Sequence, residues 1–252
     1  MSYDEVHRVQ FDDGLECYAT HEAEARFLHR EIFQDDTYAR WKLPDAPVVL
    51  DVGAGIGLFT LFIKRRHPRA RVIAIEPAPQ NAALLRRNME LHGLTGVTVH
   101  EVCLGARGVP AAPFTFFAEM PANSTRYPEQ YDLQRELTAR QFGADQAARM
   151  FAPTLLSVPV EPLSGLLRRD HPRPGPVDLV KIDVEGAERD VLAGIEPGDW
   201  ARLRSMLVET SGHDGARAAV EEALRRHGLA VTTVPSPFMW PELEICNVTG
   251  RR

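Results

Sequence analysis

Cysteine is scarce: Cys17, Cys103 and Cys246 are the three in 252 residues, with no CxxC pair among them. An odd, scattered set excludes a disulfide framework and a zinc ribbon, and it points to a reducing compartment. Cationic excess is missing too, since 29 Lys and Arg stand against 35 Asp and Glu for a net charge of −6. A chain without a basic footprint is not expected to bind a nucleic-acid phosphate backbone. No apolar run approaches the roughly 20 residues that cross a bilayer. The opening "MSYDEVHRVQFDDG" lacks the basic and apolar regions of a leader. The expectation is therefore a cytoplasmic protein with no membrane partner, acting on small molecules or on groups borne by other proteins. Internal repeats and low-complexity segments are lacking as well.

What is present is a composition 44% hydrophobic and 25% charged, enough apolar material for a large core. The prolines of "KLPDAP", residues 42–47, mark a boundary, after which extended patterns alternate with helical ones. That alternation predicts an α/β fold, a doubly wound and mainly parallel sheet of seven strands. The strands are expected at 48–52, 71–75, 97–103, 179–183, 206–209, 230–234 and 243–248. Crossover helices are expected in "GLFTLFIKRRHP" and "PQNAALLRRNMELHG". Residues 1–46 form an N-terminal extension, in which Phe27, Leu28, Glu31 and Ile32 at helical spacing predict a helical cap over the sheet. Residues 47–252 form the main domain. An insertion at about 106–177, before the fourth main strand, holds the loop "MPANSTRYPEQ" and a polar helix, and is the natural place for substrate-specific parts.

The stretch "VVLDVGAGIGLF" places Gly53, Gly55 and Gly57 directly behind a strand and before a helix. Glycines there allow a sharp turn and let a ligand approach the backbone at the carboxyl ends of parallel strands, as a nucleotide-type cofactor requires. The dinucleotide fingerprint wants a small residue where this chain has Leu58, which disfavours NAD. Glu76 ends the next strand, about 20 residues beyond the glycines, where a carboxylate accepts hydrogen bonds from ribose hydroxyls.

An aspartate leading G-x-G-x-G, an acidic residue closing the second strand and no phosphate-seeking lysine resemble class I S-adenosylmethionine-dependent methyltransferases. A second stretch, "VDLVKIDVEGAERDVLAGI" at residues 177–195, resembles the signature of the FkbM family within that class. "HEAEARFLHREIFQDDTY", "MPANSTRY" and "ICNVTGRR" extend the likeness over most of the chain. The resemblance implies a Rossmann-like methyltransferase fold. It also implies S-adenosylmethionine held by Asp51, Gly53, Ala54, Gly55, Gly57, Glu76 and Pro77, with Val102 and Cys103 along the adenine and Asp183 at the reactive end. Asp51 would suit the cationic amino-acid end of that cofactor. The implied activity is O-methylation of a natural-product or sugar-like hydroxyl, free or carrier-bound. N- or carboxyl-methylation and non-catalytic cofactor binding are the alternatives.

Methyl transfer needs alignment and removal of the acceptor's proton. Asp183, Glu209 and His213 are the catalytic candidates, with His213 as the base. The family's "VEVHD" reads "VETSGHD" here, which moves His213 and Asp214 two positions downstream. A divalent cation held by Asp183 and Glu209 is the alternative, and a metal-free reaction is expected. Tyr38, Asn123, Ser124 and Glu185 are the acceptor-side candidates, and Glu24 and Glu31 the further groups able to meet cofactor or acceptor. Lys181 is expected to support a neighbouring carboxylate. The sequence leaves the oligomeric state open.

Overall fold

The computed structural model describes residues 6–34, 41–172, 175–237 and 239–252. Along the chain run β1 (His7–Gln10), β2 (Glu16–Ala19), α1 (Glu22–Gln34), β3 (Val48–Val52), α2 (Leu58–Arg66), β4 (Arg71–Ile75), α3 (Pro79–Leu91), β5 (Val97–His100), β6 (Cys103–Leu104) and β7 (Val109–Phe117). There follow α4 (Asp132–Phe142), α5 (Ala144–Met150), β8 (Pro153–Glu161), α6 (Leu163–Asp170), β9 (Leu179–Ile182), α7 (Glu188–Ala193), α8 (Pro197–Trp200), β10 (Ser205–Ser211), α9 (Ala216–Arg226), β11 (Ala230–Pro235) and β12 (Ile245–Arg251).

The main sheet has seven strands in the order β11-β12-β10-β9-β3-β4-β5. β10, β9, β3, β4 and β5 pair in parallel, and β12 pairs antiparallel with both β10 and β11. Strands buried on both faces read as near-continuous apolar runs because each face needs its own cover. Alternate residues accordingly enter different cores. Val49, Val72, Ala74, Leu179 and Leu207 pack with α2, α3, α1 and the β1–β2 hairpin. Leu50, Val52, Ile73, Ile75, Val180, Ile182, Met206 and Val208 pack with α6, α7 and α9. The predicted doubly wound sheet is thus observed, and the helix preceding it shares a core with the sheet.

Three differences from expectation have local causes. The strand expected at 97–103 breaks after His100, so that Cys103–Leu104 pairs with β8 in a second, three-stranded sheet of order β6-β8-β7. The polar helix of the insertion is interrupted at Gly143, whose φ of 93° no right-handed helix accommodates. Residues 163–170, counted within the insertion, form α6, whose Leu163, Leu166 and Leu167 belong to the main core. Among the described residues, no helix is long and apolar enough to cross a membrane.

Candidate active site

The chain runs from β3 to β4 on one side of the sheet and reaches β9 on the other, so the ends of β3 and β9 flank a topological switch point. Ligand crevices of open α/β sheets form at such points. A cleft of about 1230 Å³, including its open mouth, lies there between the main sheet, α1 and the insertion.

Its floor is the glycine loop. The backbone N–H groups of Gly53 and Ala54 donate to the Ile75 carbonyl at 2.9 and 3.0 Å, stitching the loop to the end of β4. Gly53 has φ 78°, and a Cβ there would collide with the Asp183 carbonyl. It is a glycine because two strand ends touch. Gly55 has φ 54°, and a Cβ there would meet no atom within 4 Å. It is open where Gly53 is closed, so its backbone is the part of the loop that a ligand can approach.

Glu76 is 5% exposed and borders the same floor. Its carboxylate accepts from the Gly55 N–H at 2.8 Å and from the Ala78 N–H at 2.9 Å, one on each oxygen. Burial pushes this carboxyl up to about 7, against the pull of those donors. The Asn81 amide is a third donor to this carboxylate, which still leaves acceptor capacity for a ligand hydroxyl.

Asp51 does not reach the cleft. Its side chain is wholly buried beneath the loop, where it accepts from Thr60 Oγ1 at 2.7 Å and faces Lys181 Nζ at 3.6 Å. The parallel register sets Asp51 directly beside Lys181, which brings the pair together. Burial raises the Asp51 carboxyl while Lys181 and Thr60 pull it back. The expectation that Asp51 meets the ligand is therefore corrected to a supporting place under the floor. Lys181 also donates to the Gly53 carbonyl at 2.8 Å and pairs with Asp183 at 3.2 Å. Burial would lower its pKa, but Asp183 and Asp51 together raise it, and the ammonium stays charged.

The remaining wall is acidic. Asp183, Glu185 and Glu209 border the cleft from the main sheet and its loops, and Glu24 and Glu31 from α1. Burial pushes Glu24 up to about 7 and Glu185 to about 8, with Asp183 adding to the latter. Glu209 is raised well above the usual carboxylate range by burial, then by Asp183, Glu31 and Glu185. So dense a set of mutually repelling carboxyls suits a cationic ligand. Among the described residues no group of three or more His, Cys, Asp or Glu is disposed to hold a metal ion.

Of the other expected residues, Ala54, Pro77, Val102, Cys103, Asn123 and Ser124 border the cleft, while Gly57 does not. Gly57 instead packs against Leu85 and Met89 at φ 91°, which starts α2. The Cys103 thiol is buried and pushed up to about 12, so it stays protonated and unreactive. His213 does not border the cleft either: its exposed ring bonds the Glu242 carbonyl at 3.0 Å. Asp214 at φ 50° turns the chain there. Tyr38 lies outside the described residues. Sequence reasoning missed Tyr131, whose hydroxyl donates to Glu185 Oε2 at 2.7 Å, and Asn81, which borders the cleft. Tyr131 stands in no periodic pattern, so only its being an aromatic inside a polar stretch could have marked it.

Comparison with known proteins fits this geometry. Residues 51–228 match the family model described as the methyltransferase FkbM domain. The chain is 36% identical over 248 residues to methyltransferase sdnD of Sordaria araneosa, covering 95% of each chain. It is 33% identical over 260 residues to the 31-O-demethyl-FK506 methyltransferase FkbM of Streptomyces tacrolimicus, covering 99% of this chain and 98% of that one. Its fold resembles the crystal structure of methyltransferase FkbM from Methylobacillus flagellatus KT, with a TM-score of 0.56 at 14% identity, over 88% of this chain and 47% of that longer one. Glycine loop, acidic strand ends and near full-length likeness agree, and the chain belongs to the FkbM family of methyltransferases.

Proposed function

We propose that the chain transfers a methyl group from S-adenosylmethionine to a hydroxyl oxygen of a small natural-product or sugar-like acceptor, free or carrier-bound. The observation that carries this is the pairing of an open Gly55 backbone with a Glu76 carboxylate fixed beside it, facing an acidic wall. These residues fit the cofactor. Glu76 would accept from its ribose, Gly53, Ala54 and Gly55 would lie beneath it, Val102 and Cys103 would flank its base, and the acidic wall would face its cationic end. When bound, the cofactor supplies a methyl group on a positively charged sulfur.

The chain's own residues then have two tasks. Asp183, held at 3.2 Å by Lys181, aligns the acceptor at the switch point. Glu209, ionised when a cationic cofactor faces it, takes the hydroxyl proton, since a carboxylate buried among like charges is a stronger base than an ordinary one. Oxygen as the acceptor atom, and a natural product as its bearer, draw support from the relative named for 31-O-demethyl-FK506.

Labelled methyl transfer from S-adenosylmethionine to a panel of free and carrier-bound hydroxylated compounds, with NMR of the products, tests this. A new O-methyl signal is expected. Methyl on nitrogen or a carboxylate would overturn the oxygen assignment. Cofactor binding without transfer to any acceptor would indicate a non-catalytic binder.

A further inference from the structure

Glu185 carries a backbone conformation that its residue type rarely adopts. Its φ is 54°, in the left-handed region, and it is followed by Gly186 at φ 94°. A non-glycine residue is held there only where its surroundings over-determine the conformation. The surroundings in this case come from the insertion. Thr125 Oγ1 donates to the Glu185 carbonyl at 2.6 Å, and Gln130 Nε2 donates to the same oxygen. Tyr131 donates its hydroxyl to Glu185 Oε2 at 2.7 Å. Gly186 has no room for a side chain, because a Cβ would collide with the Gln130 amide.

Tyr131 is itself fixed. It is 3% exposed and packs edge-on to Phe117, with ring centroids 5.8 Å apart, and beside Phe151 at 5.9 Å. With Met120 these residues form a small core separate from those of the main sheet. An aromatic so enclosed presents its hydroxyl at one point, and that point is the Glu185 carboxylate. Tyr131 does not border the cleft, whereas Glu185 does. The contact therefore carries the placement of the insertion's core to a side chain in the cleft.

We propose that Tyr131 is a positioning residue that aims Glu185 into the cleft, so that the insertion sets which acceptor the enzyme takes. For the class of ligand this rests on the methyl-transfer reading above. The groups facing Glu185 are Asp183 on its own loop, Glu188 from α7, Glu31 from α1 and Glu209 from β10. All are acidic, and burial and Asp183 push the Glu185 carboxyl up to about 8 while the Tyr131 hydroxyl draws it down.

The test is the full-length chain labelled with carboxyl-¹³C glutamate, in which the Glu185 resonance is assigned by its loss in Glu185→Gln. Tyr131→Phe keeps the ring and removes only the hydroxyl. The Glu185 midpoint should then rise, because the hydrogen bond that favours the carboxylate is gone. For the acceptor methylated best in the panel, KM should rise about 10-fold with kcat changed less, while the Kd for S-adenosylhomocysteine stays within about twofold. Adding Tyr131→Phe to Glu185→Gln should cost nothing further in KM, because the partner of the hydroxyl has changed. An unmoved Glu185 midpoint in folded Tyr131→Phe would overturn the proposal, as would a full additional loss in the double variant. If the parent methylates no acceptor, the functional reading falls, and the Glu185 titration still decides the positioning role.

Discussion

Glu76 and Gly55, 21 positions apart, meet through a 2.8 Å hydrogen bond from the Gly55 N–H to the Glu76 carboxylate. The bond ties the loop after β3 to the end of β4. It orients the carboxylate along the one stretch of the loop that is open to a ligand, so that a single contact shapes the floor and places its acceptor group.

Gly53 and Gly55 should respond differently to alanine. At Gly53 a methyl meets the Asp183 carbonyl at a positive φ, so Gly53→Ala should destabilise the fold by about 2–4 kcal/mol. At Gly55 there is open space, and Gly55→Ala should cost the fold only about 1–2 kcal/mol while weakening S-adenosylhomocysteine binding. Denaturant unfolding and calorimetry on both variants check this. Equal stability losses would contradict it.

Lys181 stands between a wholly buried Asp51 and a cleft-facing Asp183. Lys181→Met should lower stability by about 3–5 kcal/mol, because it strands Asp51 without a countercharge. Asp51→Asn added to it should recover part of that loss. Urea unfolding reads both, and a single-variant loss under about 1 kcal/mol would contradict the support role.

Glu209 and His213 separate cleanly in kinetics. Glu209→Gln should lower turnover by about 10²–10⁴-fold if the proton passes to that carboxyl. His213→Ala should leave turnover within about twofold, since its ring is bonded to the Glu242 carbonyl and does not border the cleft. The reverse pattern would return the base to His213.

Stability of the ligand-free protein should fall as pH rises from about 6.5 to 8. Glu24, Glu76 and Glu188 are pushed up to about 7 and Glu185 to about 8. Such groups bind protons more tightly folded than unfolded, so their contribution is lost as pH rises through the folded values. His29, His67 and His227 are lowered by burial and work the opposite way, but only below the ordinary imidazole value of 6.5, so they do not offset the fall above it. Calorimetric Tm across the range is the measurement, and a Tm that rises toward pH 8 would contradict the assignment.

The seven strands of the main sheet were legible because each is an apolar run closed by a turn signal. The second sheet was not, because Pro110 and Pro113 interrupt β7. The fold tolerates both prolines on an edge strand whose register shifts between Val109 and Ala112. The β1–β2 hairpin was not legible either, because its strands are only four residues a side. Within the site, Gly55 and Glu76 were readable because one βαβ unit places both. The burial of Asp51 was not, since it depends on Lys181 from a strand 130 positions later, and neither was Tyr131, whose partner lies across the insertion.

Glu76 is proposed to hold S-adenosylmethionine on the floor of the cleft. Titration calorimetry of S-adenosylhomocysteine into the parent and Glu76→Ala measures it most directly. The parent should bind with micromolar-scale affinity, and the variant should be weaker by about 1–3 kcal/mol through lost charge-assisted bonds to the ribose. Unchanged affinity in a folded Glu76→Ala protein, or no binding by the parent, would contradict it.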